Sequence, residues 1–131
     1  MSSVRMILIT VLAAFLLSAC AGTCQCGGVA QYGTAEQKLS SGIKYYEDGD
    51  YNTAVEALQH ALDLGFKKKS DHVSAHKYLA FIYCVTKREN QCGEEFKNAF
   101  KLDPGFDLKP EEAGHPVWGP VFRSVKVQPA N

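Results

Sequence analysis

Five positions of this chain recur at one spacing: Gly42, Tyr45, Ala54, Leu58 and Ala61 return as Ala80, Tyr83, Cys92, Phe96 and Ala99, each 38 residues further on. Small side chains alternate with large ones in both copies, as required where elements approach closely at the small positions and interlock at the large ones. One such unit cannot bury its apolar face alone, so the two must stack. Local signals make each unit a helical hairpin. Thr34-Ala35-Glu36-Gln37 has the form of a capping box that starts a first helix. Gly49 supplies the left-handed residue that ends it, and Asp50 caps a second helix over Tyr51 to Leu64. Ser70 is expected to cap a third helix reaching about Val85, with Asp71 favourable in its first turn. A fourth runs from about Asn90 to Leu102, stopped by Pro104, and its Gly93 implies an early-turn position or a close helix contact. The expected fold class is all-α.

The run Gly42-Ile43-Lys44-Tyr45-Tyr46-Glu47-Asp48-Gly49-Asp50-Tyr51-Asn52-Thr53-Ala54, with Leu58 and Ala61 after it, resembles the tetratricopeptide repeat (TPR). A second copy carries Leu79, Ala80, Tyr83, Cys92, Phe96, Ala99 and Pro104, which places two TPR-like repeats at 35–68 and 73–106 within 34–104. Three positions depart from the pattern: Lys38, Ser41 and Phe66, which predict a loosely packed first turn. The spacing exceeds the family period of about 34 residues, and the surplus is expected in a longer loop over Gly65 to Ser70. The resemblance implies two antiparallel hairpins in an α-α superhelix. It also implies a concave face that takes a segment of another protein at Glu36, Leu39, Ile43, Tyr46 and Glu47 in the first repeat and Ser74, Lys77, Phe81, Cys84 and Val85 in the second. Leu39, Ile43, Tyr46, Lys77 and Phe81 are the expected partner-binding residues on that face; the alternative is that the tether or the tail buries Leu39, Ile43, Phe81 and Val85.

Ahead of the repeats, Met1 to Arg5 carries one positive charge, and Met6 to Leu17 is apolar apart from Thr10. That run is shorter than the ~20 residues of a spanning helix and reads as the core of a signal peptide over 1–19. Leu17-Ser18-Ala19-Cys20 resembles the bacterial lipobox, which implies cleavage before Cys20 and its diacylation. More than one acyl chain makes membrane anchoring stable. Ala21 stands where an aspartate retains lipoproteins at the inner membrane, so the expected place is the outer membrane, lipid-anchored and facing the periplasm. Residues 20–33 then form a Gly-rich tether. Its Cys24 and Cys26 offer two thiols without a second pair, which argues against a metal centre, and no basic neighbour lowers a thiol pKa for redox work. Cys84 and Cys92 bracket the turn between antiparallel helices in an oxidising compartment and are expected to form a disulfide.

Residues 105–131 are rich in proline and large apolar groups and are expected to cap the exposed end of the repeats, with a helix start at Pro110 and a terminal helix around Pro120 to Lys126. Phe106, Trp118 and Phe122 are expected in the core, the competing reading making Trp118 an exposed anchor for a partner. The run Gly114 to Phe122 is similar to a tail of small TPR lipoproteins, some associated with type VI secretion clusters. No catalytic motif for hydrolysis or nucleotide binding is present, and fourteen Lys+Arg balance fourteen Asp+Glu, which gives no footprint for nucleic acid. His72 and His76 share one helix face without a third ligand and read as a polar face, and Lys67-Lys68-Lys69 reads as a solvent-facing connector. Glu111 and Glu112, adjacent on a helix, do not converge and are expected to be solvated. The expected function is a non-catalytic adaptor binding a protein of the cell envelope, with no cofactor, metal, nucleic acid or small-molecule substrate. A structural assembly factor without a groove-bound peptide is the alternative, and an enzyme or metal-binding protein comes third.

Overall fold

A computed structural model describes residues 33–127. The expected signal peptide over 1–19, and Cys20, Cys24 and Cys26 of the expected tether, lie outside the described residues. Those described are all-α: α1 (Ala35–Glu47), α2 (Tyr51–Leu64), α3 (Lys69–Val85), α4 (Glu89–Leu102), α5 (Pro110–Ala113) and α6 (Trp118–Val127).

The helix ends follow from side-chain and backbone chemistry. Thr34 Oγ1 accepts from the Gln37 N–H at 3.2 Å while Gln37 Oε1 accepts from the Thr34 N–H at 2.8 Å, a reciprocal pair that satisfies two donors at the start of α1. Gly49 turns the chain at φ 80°, which favours glycine, and Asp50 Oδ1 then accepts from the Thr53 N–H at 3.2 Å to open α2. The start of α3 differs from expectation. The helix begins at Lys69 and Ser70 caps nothing; its N-cap, Lys68, makes no side-chain cap bond. No glycine or proline stands within Lys67 to Ser70, so the chain is free to coil two residues earlier than a Ser70 cap would mark. The surplus residues therefore lengthen α3 to 17 residues instead of swelling the loop, which shrinks to Gly65–Lys68. Lys69 accordingly belongs to a helix and pairs with Asp103 at 3.8 Å.

Successive helices pack in pairs, α1 with α2 and α3 with α4, and α3 also touches α1, α2 and α6. The small residues permit this. A Cβ on Gly42 would lie 2.7 Å from Leu58 Cγ, so α1 and α2 approach at a distance only glycine allows. Ala54, Ala61, Ala80, Cys92 and Ala99 are all fully buried at their own crossings. Ala35 and Leu39 are buried too, so the first turn of α1 is docked, not loose. Six consecutive residues of α3, Leu79 to Cys84, are buried, because a helix with neighbours on several sides needs apolar groups all round.

The tail closes the far side. α6 packs on α4, where Gly93 leaves Val125 and Val121 about 3.9 and 4.0 Å from its would-be Cβ. Phe122 meets Phe96 edge-on at 5.2 Å and Phe100 in a stack at 5.5 Å. Phe106 is only half-buried, against the rings of Phe100 and Phe122. α6 starts two residues before the expected Pro120, at Trp118, and Cys84 and Cys92 are disulfide-bonded across the α3–α4 turn.

Candidate protein-docking face

The six expected partner-binding residues separate into two groups. On α3, Lys77 and Phe81 are covered by the chain's own tail. The Trp118 indole stacks on Phe81, and the two residues are 7% and 2% exposed. Trp118 Nε1–H donates to the Glu112 carbonyl at 2.8 Å, so the polar handle of the indole is satisfied inside the chain. His115 lies flat on the other side of that ring. Lys77 Nζ donates to Glu112 Oε1 at 2.6 Å, both side chains being more than four-fifths buried. These contacts correct two expectations. Phe81 and Lys77 are covered and are not surfaces for a partner, Trp118 taking the core place expected for it and not the competing one of partner anchor, because the stacked rings exclude one another from water; and Glu112 is not solvated, because its carboxylate also accepts from the Lys109 N–H and tethers α5 to α3.

On α1 the outcome is different. Leu39, 7% exposed, and half-buried Ile43 line a groove of about 440 Å³ together with Glu36, Ser40, Lys44, Glu47 and Asp71. Tyr46, half-buried, packs edge-on against Tyr78 at 5.3 Å and at a tilt of 41° against Tyr51 at 6.1 Å. Burial is the main cause that pushes the Tyr46 and Tyr78 phenols up, with Glu47 and Glu112 adding negative potential at both. The Glu36 carboxyl is held below its ordinary value first by a backbone N–H in its own helix turn, then by the Thr34 hydroxyl. Lys44 donates to Asp48, one turn on, at 2.9 Å.

His72 and His76 stack at 5.4 Å, and His76 Nδ1 lies 2.6 Å from Glu95 Oε2, joining α3 to α4. Among the described residues no three His, Cys, Asp or Glu side chains converge as a metal centre would need. The repeat pattern named Leu39, Ile43 and Tyr46 but missed Asp71, Ser40 and Tyr78, which stand beside them. Helical spacing sets Asp71 and Tyr78, seven residues apart, on one face of α3, but nothing in the sequence says that this face meets α1. Comparison with protein families, with curated proteins and with solved structures finds no match to this chain.

Proposed function

We propose that the chain is a non-catalytic adaptor lipoprotein built from two TPR-like hairpins, anchored by a lipidated Cys20 at the outer membrane and facing the periplasm. It binds a segment of a partner protein on the α1 face. The observation that carries this reading is the asymmetry between the two hairpins: the α3 face is filled by Trp118 and Glu112, while the equivalent stretch of α1 keeps an amphipathic groove lined by Leu39 and Ile43. The tail also illustrates the mode of recognition, since α5 and the start of α6 lie on α3 through one aromatic anchor and one ion pair, the mixture expected where one chain segment is held by another. The resemblance of Gly114 to Phe122 to secretion-associated lipoproteins supports an accessory place in an envelope complex such as a type VI secretion system.

The filled α3 face favours a second reading, a structural assembly factor for another envelope protein with no groove-bound segment. Crosslinking in cells followed by purification of the tagged chain tests between them. Ser40→Arg puts a bulky charged side chain into the groove from an exposed position and leaves the core untouched. Loss of the crosslinked partner, with unchanged melting, supports the docking face; full retention supports the assembly factor.

A further inference from the structure

The α1 groove has a sign. Three of its lining residues are carboxylates, Glu36, Glu47 and Asp71, and among the described residues none of them forms an ion pair within 4.0 Å. Its one lining cation, Lys44, is engaged by Asp48, and Lys67 offsets part of the Glu36 charge at one end. Leu39 and Ile43 give it apolar lining, and Glu47 lies close enough to the paired Tyr46 and Tyr78 to act on both phenols. A carboxylate wall beside tyrosyl faces attracts an ammonium or guanidinium group twice, by charge and by the ring quadrupole. The chain contains its own instance of this chemistry next to the groove: Lys77 Nζ sits 4.8 Å from the centre of the Tyr78 ring and 5.6 Å from that of Phe81 while bonded to Glu112.

We propose that the occupant of the α1 groove is a basic amphipathic segment of the partner protein, whose apolar side chains lie on Leu39 and Ile43 and whose Lys or Arg side chains meet Glu47, Asp71 and the Tyr46–Tyr78 pair. This rests on the docking reading above and adds the chemistry of the partner. An acidic segment would place like charges against three carboxylates, a repulsion that rejects it.

Two fluorescently labelled peptides of equal length, one alternating leucine and lysine and the other leucine and glutamate, test the sign on the full chain. The leucine–lysine peptide should bind, and the leucine–glutamate peptide should bind at least about tenfold more weakly. Raising salt should weaken the first, because exposed charge pairs are screened. Glu47→Gln should weaken it several-fold, whereas Glu94→Gln, the same charge change on α4, should not. Equal binding of the two peptides, no binding of either, or indifference to Glu47→Gln overturns the inference. A photoreactive benzoylphenylalanine in place of Ser40 then separates the two levels of the argument in cells. An adduct on a Lys/Arg-rich partner peptide supports both, an adduct on an acidic or neutral peptide sinks the charge inference alone, and no adduct sinks the docking reading with it.

Discussion

The indole of Trp118 lies on the ring of Phe81 with centroids 4.3 Å apart and planes 21° from parallel. Residues 37 positions apart in the chain thus form one stack, and it joins the tail to the second hairpin. Trp118 is the only tryptophan, so its fluorescence reports the docking of the tail as a whole, through Phe81, His115 and the Glu112 carbonyl. Trp118→Ala should cost about 3–5 kcal/mol, since it empties a buried aromatic site and leaves the Glu112 carbonyl without its donor. Urea denaturation measures the cost; a loss below about 1 kcal/mol, the range of ordinary surface changes, would mean that the tail does not complete the core.

Gly42→Ala tests the close approach of α1 and α2. The added methyl meets Leu58 Cγ and Cδ2 at 2.7 and 2.8 Å, so overpacking should cost about 1–3 kcal/mol. Leu58→Ala alone should also destabilise, by about 2–5 kcal/mol. Combined, the two should cost clearly less than their sum, because the cavity left by one accepts the methyl of the other. Strict additivity in a double-mutant cycle would show that the two residues do not touch.

The disulfide between Cys84 and Cys92 closes a loop with a sequence separation of 8. Loop-closure entropy for so short a ring amounts to about 2.5 kcal/mol. Cys84→Ala with Cys92→Ala, which adds no buried polar group, should lower the unfolding free energy by about that amount and leave the helical circular-dichroism spectrum unchanged. Both cysteines are buried, so mild reductant should leave the folded protein's disulfide intact and cleave it only as urea opens the chain.

The pH profile should be a plateau with two shoulders. Burial, and then the neighbouring His76, hold the His72 pKa below its ordinary 6.5, so the unfolded chain binds the proton more readily. That contribution is complete above pH 6.5 and is lost as pH falls through the lower folded value. Glu36, Glu94 and Asp107 are depressed as well and extend the loss in stronger acid. Tyr46, Tyr78 and Tyr83 are raised, chiefly by burial, so their contribution is present below pH 10 and is lost as pH rises beyond it. His72→Gln should remove the mildly acidic shoulder from a series of melting curves and leave the alkaline one. An unaltered acidic shoulder would place its origin elsewhere.

Cys20→Ala should release the chain from membranes without changing the fold of residues 33–127. Retention of the variant in the membrane fraction would refute the lipid anchor.

Much of the fold was legible because it is local. Thr34 with Gln37, Gly49, and Asp50 act within four residues of themselves, and the small residues at Gly42, Ala54, Ala61, Ala80 and Ala99 mark crossings by size alone. Ser70 misled because capping propensity is weak where nothing stops the helix from starting two residues sooner, at Lys69. The candidate site was half legible. Helical periodicity finds Leu39, Ile43 and Phe81 on one side of their helices, but only the three-dimensional path of the tail decides that Phe81 is covered and Ile43 is not. Lys77 and Glu112 meet across 35 residues with no pattern linking them beforehand.

Hydrogen exchange on the protein alone and in its crosslink-stabilised partner complex addresses the docking face most directly. The account predicts added protection on α1, from Glu36 to Glu47, and none on α6, whose apolar side is already taken by α4. Added protection confined to α4 and α6, with α1 exchanging as in the free protein, would contradict it.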